Sequence, residues 1–341
     1  MGITDKIIAS NNVEKKLYPS FEGRTLNIEI SGRCNEKCIY CQYYAKGVHK
    51  SLGMIDEELF YRVTKEAREL GITDVGLYMV GEPLLNPNIY KYVEYLKHEI
   101  GFEYVYISTN GILLTPENLE KLVTAGIDSI KFSVSGASRE TFFKHHGVDV
   151  FDNVYENIKY AHEYRQKNNF SYKLYMFCIL TRYNEMEDDL IKELYEPYVD
   201  ELVVSPVLPS QCVHGVKELL SVQKTNAVMD QVRASIPCNM LFNRISIDVK
   251  GRLVACCYDL TNDLSIIADL SKVSLKDAVY GEDFVRLRQR HLAGKVSNTI
   301  CDFCVNGNKD DIYPLSNNIK IDNVCISDVD ISDEIRERFC I

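Results

Sequence analysis

The chain has 341 residues, of which 46% are hydrophobic and 26% charged, and a net charge of −10. That balance suits a globular protein large enough for one α/β domain and a smaller companion. An acidic chain without a basic stripe speaks against nucleic-acid binding, and no apolar run approaches the length of a membrane span. The first ten residues are too short and polar for an export signal, so a cytoplasmic location is expected. The 12 cysteines then read as metal ligands and free thiols rather than disulfides.

Residues 1–22 read as an N-terminal arm. From residue 23 apolar strands alternate with amphipathic helices. Strands are expected at 26–30, 75–80, 104–108, 129–134, 173–180 and 201–205. Helices are expected at 56–70, 87–99, 116–125, 154–167 and 185–196. Asp56 stands at an N-cap position, and Gly71 and Gly126 stand where helices end. Such alternation means parallel strands joined by crossover helices. Six units over residues 23–209 give an α/β fold, a partial (β/α)6 TIM-like barrel open on one side. Catalytic groups in such barrels sit at the C-terminal ends of the strands.

The pattern changes after Pro209, and residues 210–309 read as a small α+β domain. A helix is expected at 222–235 and another at 273–292. Strands at 245–249 and 253–257 flank a Lys250-Gly251 turn and form a hairpin. The tail 310–341 is polar and is expected to be loosely packed.

Directly after the first strand, Cys34, Cys38 and Cys41 form the run C-N-E-K-C-I-Y-C. Three thiolates at this spacing can hold one face of a [4Fe–4S] cube and leave one iron open. The CxxxCxxC spacing resembles the radical S-adenosylmethionine (SAM) superfamily. There the open iron chelates SAM, and an electron from the cluster releases a 5′-deoxyadenosyl radical. Further segments support the resemblance, which covers roughly residues 25–205. Tyr40 matches an aromatic position near the adenine. Val80-Gly81-Glu82-Pro83 resembles the GGEP motif, whose backbone carbonyls take the SAM ammonium; Gly81 and Glu82 are carried over from it. Ser108 and Asn110 after the third strand, and Ser133 and Ser135 after the fourth, resemble segments that hold the ribose and carboxylate. Where many relatives place an arginine, this chain has Lys144-His145-His146-Gly147, so the cation meeting the SAM carboxylate stays open. Without the cysteines, Gly81-Glu82-Pro83 and Asn110-Gly111 would be plain turns.

Cys238, Cys256, Cys301 and Cys304 follow with spacings of 18, 45 and 3. One cysteine upstream of a hairpin, one on it and a CxxC downstream resemble the auxiliary-cluster domain called SPASM, or its shortened form, twitch. The spacings are similar to those of a radical SAM dehydrogenase that oxidises an aminocyclitol alcohol. The resemblance implies a second [4Fe–4S] cluster with four protein ligands; the same thiolates could instead build a zinc site. Cys257 is either the true ligand in place of Cys256, a small buried hydrophobe, or a hydrogen donor to a substrate radical. Cys212 could play the donor part too, while Cys178 on a strand reads as core.

A fully ligated cluster cannot bind substrate, so its expected work is electron transfer, which favours alcohol oxidation. The expected function is hydrogen abstraction from a small polar substrate (a sugar, nucleotide-sugar or cyclitol), ending in oxidation or epimerisation. A flavodoxin- or ferredoxin-type donor is expected to supply the electron. Peptide modification is the alternative, and a non-catalytic metalloprotein the third reading. Arg182, Asn184, His145, His146 and Tyr78 are possible proton acceptors, with nothing in the sequence to choose among them.

Overall fold

Strands form where β-branched and aromatic residues cluster, their buried side chains packed into the core. The computed structural model describes residues 12–41, 53–207, 236–256, 264–306, 313 and 315–316. The strands are β1 (Thr25–Ile28), β2 (Asp74–Leu77), β3 (Tyr104–Thr109), β4 (Ser129–Ser133), β5 (Lys173–Leu180) and β6 (Glu201–Pro206). Each pairs in parallel with the next, as the alternation predicts. Between them lie α1 (Glu57–Glu69), α2 (Ile89–Glu94), α3 (Pro116–Thr124), α4 (Arg139–His146), α5 (Phe151–Asn168) and α6 (Asp188–Tyr195).

Helix α1 shows how local sequence sets an element. Asp56 accepts the Leu59 N–H at 2.8 Å, and Glu57 and Glu58 complement the positive end of the helix. Phe60, Val63 and Ala67 recur at helical spacing and are buried against the sheet. Gly71 ends the element with a φ of +86°, where a side chain would be strained. Removing the Asp56 cap would cost about 1 kcal/mol.

The C-terminal part contains α7 (Met240–Asn243), β7 (Arg244–Ile247), β8 (Arg252–Val254), β9 (Ile266–Asp269), α8 (Leu275–Tyr280), α9 (Glu282–Leu292) and α10 (Ile300–Asn306). The expected hairpin is there, β7 and β8 being antiparallel around Gly251. The short elements α4, α7, β9 and α10 were not expected, and other features differ from the sequence expectation. The helix expected at 273–292 is broken at Gly281, which caps α8 and starts α9. Strand β7 pairs in parallel with β1, from Thr25↔Arg244 to Ile28↔Ile247, so the barrel edge is continued. The result is one nine-stranded sheet in the order β6-β5-β4-β3-β2-β1-β7-β8-β9. The described part of the N-terminal arm is docked: Phe21 is buried, Tyr280 donates to the Pro19 carbonyl at 3.0 Å, and Arg288 reaches the Leu17 carbonyl. In the tail, Leu315 and Ser316 are buried rather than loose, held by Leu315 N–H to the Leu264 carbonyl at 3.0 Å and Ser316 Oγ to Asp283 at 2.7 Å. The expected helix 222–235, and Cys212, Cys257, Cys325 and Cys340, lie outside the described residues.

Candidate functional site

The CxxxCxxC loop leaves β1 at the C-terminal end of the sheet and is clamped from two sides. On one side Lys37 N–H and Ile39 N–H donate to the His146 and His145 carbonyls, both at 2.9 Å, at the end of α4. On the other side Glu82 N–H donates to the Arg33 carbonyl at 2.7 Å. Gly81 allows that approach: a Cβ there would stand 2.0 Å from the Ser31 carbonyl oxygen. The loop's path is therefore set by α4 and by the turn after β2.

Cys34, Cys38 and Cys41 line one cavity. Burial pushes the Cys34 and Cys38 thiols well up, and the Glu36 charge adds to both. Cys41 raises each of them further, as Cys34 does Cys38, so the three sulfurs share one electrostatic neighbourhood. A bound cationic metal centre reverses this effect and holds thiolates ionised. Convergent thiols at one cavity wall thus fit a three-ligand cluster.

Of the seven predicted cofactor residues, six line the same cavity: Tyr40, Gly81, Glu82, Ser108, Asn110 and Ser133. They come from the ends of β2, β3 and β4 and from the cysteine loop. The Glu82 carboxylate is fully used inside the fold. It accepts from Thr109 Oγ1 at 2.8 Å, Leu84 N–H at 3.0 Å and Asn110 N–H at 2.8 Å. Burial still raises its pKa to about 7, outweighing those bonds. Ser135 lies one layer behind the wall and is completely buried. Its amide donates to His146 Nε2 at 2.9 Å, its Oγ accepts from Ile179 N–H at 3.0 Å, and Tyr40 OH lies 3.3 Å from that Oγ.

The two adjacent histidines separate cleanly. His145 bonds the Thr141 carbonyl and Thr181 Oγ1, both at 2.7 Å, and burial lowers its pKa to about 4, which makes it a neutral core residue. His146 faces the cavity. Since the Ser135 amide can only donate, Nε2 is the acceptor and the proton is assigned to Nδ1. Nδ1 lies 2.9 Å from Glu36 Oε2 and 3.5 Å from Cys38 Sγ. The other Glu36 oxygen is buried without a hydrogen-bond partner among the described residues. Glu36 was not singled out from sequence; a charged residue between two metal-binding cysteines was the available signal.

The other proposed proton acceptors fall away, except Tyr78, which lines the cavity. Asn184 accepts from Thr181 N–H at 2.7 Å and donates to the Ile179 carbonyl at 3.0 Å, closing its own loop. Arg182 is exposed and stacks on Tyr183. Cys178 is buried in the core, and burial pushes its thiol up to about 12, as expected of an inert cysteine.

Cys238 precedes α7, Cys256 follows β8, and Cys301 and Cys304 sit three apart on one face of α10. Among the described residues, no three of these four sulfurs lie within 4.8 Å of one another.

A buried carboxylate joins the two regions. Glu29, just past β1, accepts from Val80 and Gly81 N–H at 3.1 and 3.0 Å with one oxygen. Its other oxygen accepts from Val249 N–H at 3.0 Å, in the β7–β8 turn. Burial, with the Asp248 charge adding, raises its pKa to about 7.

Known proteins agree with this geometry. Residues 28–194 match the radical SAM superfamily, and residues 238–305 match the iron–sulfur cluster-binding domain SPASM. A probable GTP 3′,8-cyclase of Saccharolobus solfataricus is 39% identical over 136 residues, 40% of this chain and 42% of that protein. The chain thus matches less than half the length of that relative. An uncharacterized protein of Methanocaldococcus jannaschii is 27% identical over 238 residues, 67% of this chain and 73% of the relative. The structure of BtrN in complex with AdoMet and 2-DOIA superposes with a TM-score of 0.53 at 18% identity, over 85% of this chain and 94% of BtrN. Streptococcus suis SuiB bound to precursor peptide SuiA gives 0.61 at 15% identity, over 92% of this chain and 78% of SuiB. At these identities the structural likeness speaks for the fold. The cysteine-lined cavity at the strand ends and the two matched regions lead to one assignment: this chain belongs to the radical SAM superfamily, carries a SPASM domain, and works with S-adenosylmethionine and [4Fe–4S] clusters.

Proposed function

We propose that the protein abstracts hydrogen from a C–H bond of a small polar substrate, a sugar, nucleotide-sugar or cyclitol, and that the outcome is alcohol oxidation or epimerisation. The observation that carries this reading is the meeting of Cys34, Cys38 and Cys41 with the ends of β2, β3 and β4 at one cavity. When bound, the three-cysteine cluster supplies the electron that splits SAM, giving the 5′-deoxyadenosyl radical that removes the hydrogen. Gly81 offers its backbone carbonyl to the SAM ammonium, a role that needs no side chain. Ser108, Asn110 and Ser133 orient the ribose and carboxylate, and Tyr40 borders the adenine. Ser135 acts at one remove, by fixing Tyr40 and His146.

A substrate radical that loses a proton and one electron becomes a carbonyl; one that regains a hydrogen atom on the other face becomes the epimer. Cys238, Cys256, Cys301 and Cys304 would hold the second cluster, the electron acceptor in the first case. Cys257 is the candidate hydrogen donor in the second. Electrons enter from a flavodoxin- or ferredoxin-type donor in the cytoplasm.

Two observations bear on neighbouring readings. The 39% identity to a probable GTP 3′,8-cyclase favours a nucleotide within the small-molecule class. Peptide modification is the alternative reading, since the fold is shared with SuiB, a protein solved with a precursor peptide, and fold alone does not choose between the two. The test is anaerobic reconstitution, reduction and incubation with SAM. Release of 5′-deoxyadenosine is expected, and its absence with an intact cluster overturns the proposal. Turnover in D2O then separates outcomes: an epimerase quenched by a thiol places deuterium on the product carbon, and a dehydrogenase gives a carbonyl without it.

A further inference from the structure

Three consecutive N–H groups in the turn after β2 are taken up by the chain at the end of β1. Val80 and Gly81 N–H donate to one oxygen of Glu29 at 3.1 and 3.0 Å, and Glu82 N–H donates to the Arg33 carbonyl at 2.7 Å. Adjacent amides that close on one carboxylate oxygen make an anion nest. The other Glu29 oxygen accepts from Val249 N–H at 3.0 Å, so the carboxylate is held from the hairpin side as well. Glu29 is buried and does not line the cavity, whereas Met79, Val80 and Gly81 do.

In a trans peptide the N–H and the C=O point in opposite directions. The bonds through this turn are trans. The Val80 N–H shares its peptide with the Met79 carbonyl, and the Gly81 N–H shares its peptide with the Val80 carbonyl. With both N–H groups turned to Glu29, behind the wall, both carbonyls turn away from it, to the cavity side. Among the described residues the Met79 and Val80 carbonyls accept no hydrogen bond. One bond would be enough to tie the turn to β1; two on one oxygen fix the planes of successive peptides. The carboxylate also polarises both peptides, which makes their oxygens stronger acceptors.

We propose that Glu29 is a positioning residue for S-adenosylmethionine: it sets the two peptide planes after β2 so that the Met79 and Val80 carbonyls meet the ligand's ammonium. The inference rests on the radical SAM reading of this cavity and deepens it, by assigning the side chain that aims those acceptors. Glu29 acts through the backbone and does not touch the ligand. A ligand that carries the ammonium therefore depends on it, and a ligand without one does not.

The test uses reconstituted holoenzyme, with iron content and the visible spectrum checking that each protein is loaded. Calorimetry compares SAM with S-adenosylhomocysteine, which keeps the ammonium, and with 5′-methylthioadenosine, which lacks the amino-acid part. Glu29→Met should bind SAM and S-adenosylhomocysteine roughly tenfold more weakly than wild type, and methylthioadenosine within about twofold. Glu29→Gln should bind all three within about threefold, because its carbonyl oxygen can still take the Val80 and Gly81 amides. Wild-type SAM affinity in Glu29→Met, an equal loss for methylthioadenosine, or a loss in Glu29→Gln as deep as in Glu29→Met overturns the proposal. A crystal structure of SAM-bound wild type gives a reading that needs no variant and decides the matter where Glu29→Met does not load. It should show the ammonium within hydrogen-bond distance of the Met79 or Val80 oxygen, with both amides still on Glu29. An ammonium held elsewhere, or amides turned off Glu29, overturns it. Failure to release 5′-deoxyadenosine while SAM binds normally sinks the parent function alone; normal release with SAM affinity indifferent to Glu29 sinks this inference alone.

Discussion

His146 Nδ1 lies 2.9 Å from Glu36 Oε2, joining two buried side chains that are 110 residues apart. The contact ties the middle of the cysteine loop to the end of α4. Glu36 Oε1 lacks a hydrogen-bond partner among the described residues, so the carboxylate is held through Oε2 alone, by His146 Nδ1 and by Cys38 Sγ at 3.1 Å. His146→Leu should destabilise the protein by about 2 kcal/mol and weaken iron retention, because it leaves a buried carboxylate with the weak Cys38 thiol as its remaining donor. The double variant Glu36→Leu/His146→Leu should recover much of the loss, leaving the Ser135 amide as the remaining unmet donor. Denaturant unfolding of the four proteins measures the coupling; additive effects would show that the pair does not act as a unit.

Gly81→Ala should lower SAM affinity at least tenfold. The added methyl would overlap the Ser31 carbonyl at 2.0 Å, and both are backbone-fixed, so the turn after β2 must move. Calorimetric titration of SAM into reconstituted enzyme checks this, and unchanged affinity would count against the close approach.

Glu29 gives a signed pH effect. Its pKa rises from 4.5 unfolded to about 7 folded, so the folded protein binds the extra proton between those values. Stability from this group is present below pH 4.5 and is lost as pH rises through about 7, by about 3 kcal/mol in all. Glu29→Gln should flatten the slope of stability against pH between 5 and 7 relative to wild type. Urea unfolding of the apoprotein in that range is the measurement, and a wild-type slope surviving in the variant would reassign the effect to Asp248 or Glu82, whose pKa values are raised too.

Cys34→Ala and Cys301→Ala should separate the two cysteine sets. Both should fall from about eight to about four irons per chain. Cys34→Ala should make no 5′-deoxyadenosine, while Cys301→Ala should still make it but fail to complete an oxidation. Iron analysis with product chromatography reads both, and retention of eight irons in Cys301→Ala would remove that residue from the ligand set.

The barrel was legible because short runs rich in β-branched and aromatic residues alternate with amphipathic helices; β5 spans Lys173–Leu180, the range its sequence suggests. Helix α1 announced itself through the Asp56 cap and its apolar spacing. Helix α4 was missed because its buried face includes His145, His146 and Thr141, which read as polar. The β1–β7 pairing joins segments some 220 residues apart and has no local signal. The CxxxCxxC run stood out by its spacing, but Glu36 and Glu29 did not. A charged residue reads as solvated until the amides or histidine that receive it are brought from elsewhere in the chain.

The Thr25–Ile28 strand has a hydrogen-bonded neighbour on each side, β2 with the turn that carries Gly81 and β7 with the hairpin that leads to Cys256. At that seam the two halves share backbone hydrogen bonds. Heat should therefore melt both in one cooperative step, because separating the hairpin from the barrel would strip one edge of the Thr25–Ile28 strand of its hydrogen bonds.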